Sequence, residues 1–176
     1  MIYFLLTLLV IVLDQASKWL IVHNLNLYDE VPVIGDFFVI TSHRNRGAAF
    51  SILQDQRIFF ILITTVAVSG IVYYMTRTMR QKRSLLTCGL GVLLGGALGN
   101  FIDRLRLGEV VDFLQFTFRF TLFGFKVDYT FAIFNIADAA ITIGVILILL
   151  DTFLDWRKER KNQTHVSELP GTEKVD

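Results

Sequence analysis

Four stretches of this chain, Ile2 to Val22, Ile58 to Thr76, Leu85 to Ile102 and Phe131 to Leu150, come close to the ~20 apolar residues that cross a ~30 Å hydrocarbon core. They exclude an ordinary soluble domain. With 53% hydrophobic residues, 19% charged residues and a mean hydropathy of +0.55 over 176 residues, the chain is expected to be a membrane protein with an all-α core of four transmembrane helices. The first stretch lacks a basic leader and an A-x-A cleavage site and carries Asp14 and Lys18, so it is expected to be a retained helix and not a cleaved signal. Residues 1–155 are expected to form one membrane-embedded domain, with 156–176 a basic, then polar, disordered tail.

Basic residues near helix ends set the sides. "RTMRQKR", Arg77 to Arg83, holds four basic residues and no acid, and "DWRKERK" from Asp155 follows the last span. Both are expected to face the cytoplasm, which puts both termini inside and the first and third connections outside. A net charge of +1 gives no drive toward nucleic acid. The single cysteine, Cys88, excludes an internal disulfide and reads as a buried small residue.

The outer connections carry a second periodicity. After Phe113, Leu114, Phe116, Phe118, Phe120 and Leu122 alternate with Gln115, Thr117, Arg119 and Thr121, the period of a half-buried strand, and Phe123-Gly124-Phe125 offers a turn into "KVDYTF". "FFVIT", Phe37 to Thr41, supplies another strand. The pattern suits either a hairpin packed in a core or a small amphipathic β-sheet resting on the outer face, its Phe side toward lipid; we expect the sheet. Gly91, Gly95 and Gly99 give the third span a smooth stripe for close helix packing, a structural feature without catalytic role.

Ionisable residues inside a membrane normally face a cavity or a partner. Here Asp14 and Lys18, four residues apart, lie in the outer half of helix one. Asn100, Asp103 and Arg104 end helix three, and Asn135 and Asp138 start helix four, while the connections add Asn45, Arg46 and Asp112. Independent helices thus deliver their polar residues to one layer, as a pocket below the outer surface would require. Nucleophile and metal signatures are missing, and His23, His43 and His165 are dispersed. Two nearby carboxylates in a low dielectric share one proton and can activate water. Asp138 needs one such partner, and spacing leaves Asp112, Asp128 and Asp103 open.

The ordered motifs "LDQASKW", "NRGAAFSIL", "GGALGNFIDRL", "GEVVDF" and "FNIADAAITIG" resemble those of the bacterial lipoprotein signal peptidases, or signal peptidase II, over nearly the whole chain to Asp151. The resemblance implies an inner-membrane aspartic endopeptidase that cuts prolipoprotein signal peptides before a diacylglyceryl-modified cysteine. It implies a catalytic dyad of Asp112 and Asp138, with Asp14, Lys18, Asn45, Asn100, Arg104 and Asn135 supporting the dyad or lining the substrate site. No cofactor or metal is implied. Membrane phospholipid and a globomycin-type cyclic lipopeptide inhibitor are the other implied partners. The rival readings are a transporter or proton relay, for which no inverted repeat is visible, and a membrane protein that only binds lipid.

Overall fold

The computed structural model describes residues 1–47, 56–122 and 124–167. Its elements follow the order α1 (Ile2–Asn24), β1 (Glu30–Ile34), β2 (Phe38–Asn45), α2 (Arg57–Arg80), α3 (Ser84–Arg106), β3 (Val110–Leu122), β4 (Phe125–Thr130) and α4 (Ile136–Ser167). The four helices are each long and apolar enough to cross a membrane. Residues 48–53 of the second motif, Phe123 of the expected turn, and 168–176 of the tail lie outside the described residues.

Helix α3 packs against each of the other three helices, and small residues make this possible. A Cβ on Gly95 would come within 2.9 Å of the Thr7 carbonyl oxygen and one on Gly91 within 3.0 Å of that of Tyr3, so α1 approaches α3 to backbone distance, and one on Gly99 would fall 2.5 Å from the Asp14 Oδ2. Gly96 does the same for α4, where a Cβ would run into the Ala137 carbonyl. The stripe expected at 91, 95 and 99 therefore seats α1, and Gly96 and Gly89 seat α4 on a neighbouring face. Met75 of α2 closes the other side against Leu86, Leu90 and Leu94 of α3. At the end of the bundle away from the sheet, Arg83 pairs with Asp151 and Asp155, which ties α3 to α4. Large apolar side chains such as Leu9, Leu62, Val66 and Ile146 point outward from α1, α2 and α4.

The strands form one antiparallel sheet in the order β1-β2-β3-β4 at one end of the bundle. The alternation in β3 appears as two faces: Phe118 lies opposite Tyr129 and Phe120 opposite Val127, while Thr117 pairs with Thr130 and Arg119 with Asp128. A stack of rings, Phe38 on Phe116 at 4.7 Å and Phe116 on Phe134 at 5.8 Å, continues the apolar face toward the helices. Strand β1 was not expected, and β2 runs past Thr41 to Asn45.

Two expectations need correction. The fourth helix does not start at Phe131: residues 131–134 are extended beside β3, with Phe131 N–H donating to the Phe116 carbonyl and Phe134 N–H to that of Leu114. These apolar residues look like a helix start in sequence, but their backbone bonds are used by the sheet, and the helix begins only after Asn135. The same helix continues to Ser167, so the tail expected to be disordered over 156–176 is helical that far.

Candidate active site

One β-bulge sets the geometry of the base of the sheet. Ile40 pairs with Leu114, but His43 pairs with Asp112 and Asn45 with Val110, so β2 has one residue more than β3 between these pairs. An extra residue reverses which side chains share a face. After it, Asn45 lies on the Asp112 face, and its Nδ2 donates to the Asp112 Oδ2 at 3.0 Å. The amide cannot be turned the other way, since its Oδ1 accepts the Gly47 N–H at 3.0 Å.

Behind Asp112 the helices supply an ionic layer. The Lys18 ammonium, 3% exposed, contacts Asp14 Oδ2 at 2.9 Å, Asp103 Oδ2 at 2.8 Å and Asn100 Oδ1 at 3.0 Å. A buried cation between two carboxylates needs such a full set of partners. Gln15 adds hydrogen bonds to Asp14, Asp103 and the Gly99 carbonyl. Asp14 Oδ1 in turn accepts the Ala137 N–H at 2.9 Å, one of the free donors of the first turn of α4. Among the described residues no buried side-chain nitrogen or oxygen lacks a partner.

An amide layer joins these ions to the front of the site. Because Asn100 Oδ1 faces Lys18, its Nδ2 faces Asp138 and donates to Oδ1 at 2.7 Å. Asn135 Oδ1 accepts the Asp138 N–H, so its Nδ2 is turned to Asp112 Oδ1, also at 2.7 Å. Asp112 is 2% exposed, whereas Asp138 is only half-buried. Burial first, and the charge of Asp138 second, push the Asp112 carboxyl up to about 7 against the opposing hydrogen bonds of Asn45 and Asn135.

Both aspartates, with Asn45, Asn100 and Arg104, line a cavity of about 620 Å³ whose remaining wall is mainly apolar, from Phe131 to Phe134 and along Ile141 and Ile143. The three candidate partners of Asp138 have separated. Asp103 is held by Lys18 behind the cavity, Asp128 is exposed in an ion pair with Arg119, and Asp112 shares the cavity. Asp14 and Lys18 lie in the supporting layer, and Asn135 bridges the two lining aspartates from below. Gln15 was not singled out from sequence; the signal was an amide between Asp14 and Lys18 in an otherwise apolar helix.

Fold and site together define a multi-pass membrane protein with a carboxylate-lined cavity suited to acid–base hydrolysis. A family model described as signal peptidase (SPase) II matches residues 6–154. The chain is 48% identical over 164 residues to a lipoprotein signal peptidase of Bacillus pumilus, covering 93% of this chain and all of that one. It is 47% identical over 163 residues to the one of Bacillus subtilis, with the same coverage. The chain belongs to the signal peptidase II family and is an aspartic peptidase. Its fold is similar to a bacterial membrane enzyme solved in meso at 2.3 Å, with TM-score 0.75 and 35% identity, covering 99% of this chain and 94% of that one. A second, solved at 1.9 Å, gives TM-score 0.69 and 40% identity over 84% of this chain and 90% of the other.

Proposed function

We propose that this peptidase removes signal peptides from prolipoproteins, cutting before the diacylglyceryl-modified cysteine, with Asp112 and Asp138 as its catalytic dyad. The observation that carries the reading is Asn135: its side chain binds Asp112 and its backbone N–H binds Asp138, so one residue holds two carboxylates at one cavity. Asp138, the more accessible, takes a proton from the attacking water. Asp112, buried and protonated up to about pH 7, donates to the scissile carbonyl and later a proton reaches the leaving amine. Asn45 and Asn135 orient Asp112, Asn100 orients Asp138, and Asp14 and Lys18 hold Asn100 and the start of α4. Arg104 offers charge to substrate carbonyls or to the tetrahedral oxyanion.

The two kinds of cavity wall suit a substrate with a peptide bond beside acyl chains. Basic residues from Arg77 to Arg83, and again from Arg157, lie at the end of the bundle opposite the site. By the positive-inside rule that end is cytoplasmic, both termini are inside, and the cavity opens at the outer leaflet of the bacterial inner membrane. The Phe face of the sheet then rests on phospholipid, and a globomycin-type cyclic lipopeptide would compete for the cavity.

The test is cleavage of a diacylglyceryl-modified prolipoprotein, and of the same precursor unmodified, by purified wild-type and Asp138→Asn protein in detergent. Lipid-dependent cleavage that the substitution abolishes is expected. Cleavage that survives it would reject the dyad, and equal cleavage of both precursors would reject the lipid requirement.

A further inference from the structure

A helix ends with carbonyls that have no donor of their own. At the end of α3 the Leu107 N–H takes the Asp103 carbonyl, and the next two carbonyls, of Arg104 and Leu105, receive a side chain from another helix. Arg57, the first residue of α2, donates Nε–H to the Arg104 carbonyl at 2.9 Å and Nη2–H to the Leu105 carbonyl at 2.6 Å. A planar guanidinium can span two adjacent acceptors in this way, and a cation is favoured at a helix C-terminus.

The side chain of the same Arg104 is held from α2 as well. Its guanidinium carbon sits 4.7 Å from the centre of the Phe60 ring, and its Nη2 donates to the Gly47 carbonyl at 3.2 Å. Arg57 and Phe60 are three residues apart and share one helix face. A single turn of α2 therefore grips the backbone of Arg104 and its charged head together. Arginine has many rotamers and loses its place beside water unless it is held. The Met75 cluster that packs α2 on α3 runs from Val68 to Met79 of α2 and from Leu86 to Leu98 of α3 and includes neither Arg57 nor Phe60, so this grip is separate from it.

We propose that the first turn of α2 belongs to the active site, with Arg57 and Phe60 as positioning residues that hold the Arg104 guanidinium at the cavity wall. The inference rests on the reading of that cavity as the peptidase site. Neither residue lines the cavity, so both act through Arg104.

A double-mutant cycle on the purified full chain tests it. Arg57→Ala and Phe60→Leu are each expected to lower kcat/KM on the modified prolipoprotein about tenfold in wild type, and less than about twofold in the Arg104→Lys background. Thermal midpoints should stay near the wild-type value. Arg57→Lys should fail to restore activity, because an ammonium cannot span both carbonyls. Equal losses in both backgrounds, or full activity with Arg57→Lys, would overturn the proposal. A second readout needs no turnover: in protein labelled with ¹⁵N-arginine, the Arg104 Nε–H signal, identified by its loss in Arg104→Lys, should move downfield in Phe60→Leu and shift or broaden in Arg57→Ala. A signal unmoved by both changes refutes the positioning, whereas a moved signal in a chain that cleaves nothing faults only the functional reading.

Discussion

Asn135 and Asp138 cap each other at the start of α4. Asn135 Oδ1 accepts the Asp138 N–H at 3.0 Å, and Asp138 Oδ2 accepts the Asn135 N–H at 3.2 Å. This is a reciprocal capping box, with Asp in the place more often held by Glu or Gln. It accounts for two polar residues at the head of an apolar helix by local physics, and it also aims the remaining Asn135 donor at Asp112.

Asn135→Ser separates the two roles. Serine caps a helix as well as asparagine but is too short to reach Asp112. Because the Asn135 Nδ2 also donates to the Asn100 Oδ1 and the Val111 carbonyl, we expect a stability loss of about 1–3 kcal/mol in detergent with activity of the folded protein down about 100-fold, and for Asn135→Ala an additional loss of about 1–2 kcal/mol from the missing cap. Equal activity of the Asn135→Ser protein and wild type would show that the Asp112 bond is idle.

Asp112→Asn and Asp138→Asn should each lower cleavage at least about 10³-fold while leaving membrane insertion intact. Asp128→Asn should stay within about twofold, because an exposed pair with Arg119 contributes little. Initial rates for the three variants, normalised to inserted protein, decide this.

Asp112 also sets a pH dependence. With its carboxyl raised from 3.8 to about 7, cleavage that needs a protonated Asp112 falls as pH rises through about 7. Asn45 opposes that rise, so Asn45→Ala should move the falling limb of kcat/KM to higher pH. The folded state holds this proton more tightly than the unfolded one. Its stabilising contribution is complete below the unfolded value of 3.8 and lost as pH rises through about 7. Activity unchanged to about pH 9 would place the required proton on another group.

Lys18→Met removes a buried cation from between Asp14 and Asp103 and leaves both carboxylates unpaired. Breaking such a set costs about 3–5 kcal/mol. We expect a large drop in the thermal midpoint together with loss of activity.

Gly99→Ala should destabilise the bundle by about 1–3 kcal/mol, since its Cβ falls on the Asp14 carboxylate. Gly70→Ala, with nothing within 4 Å, should gain up to about 1 kcal/mol from helix propensity alone. Thermal midpoints of the pair measure how much close approach, as opposed to glycine itself, matters.

The sequence by itself determined the properties that depend on neighbours along the chain. Apolar runs gave four helices, alternation gave the two faces of β3, and five ordered motifs gave the family. It also showed that polar residues gather at one end of the bundle, because helix direction follows from counting spans. Tertiary structure decided which of them meet. Asp103, Asp112 and Asp128 share that end, but Asp103 is drawn to Lys18, Asp128 to Arg119, and only Asp112 lines the cavity with Asp138. A bulge in β2 turns Asn45 toward Asp112, and backbone contact at Gly95 and Gly96 brings α1 and α4 to α3. Even the start of α4 was settled this way, since Phe131 to Phe134 are apolar enough for a helix and yet pair with β3. Register and close approach are relations between distant segments, and their energies appear only when those segments touch.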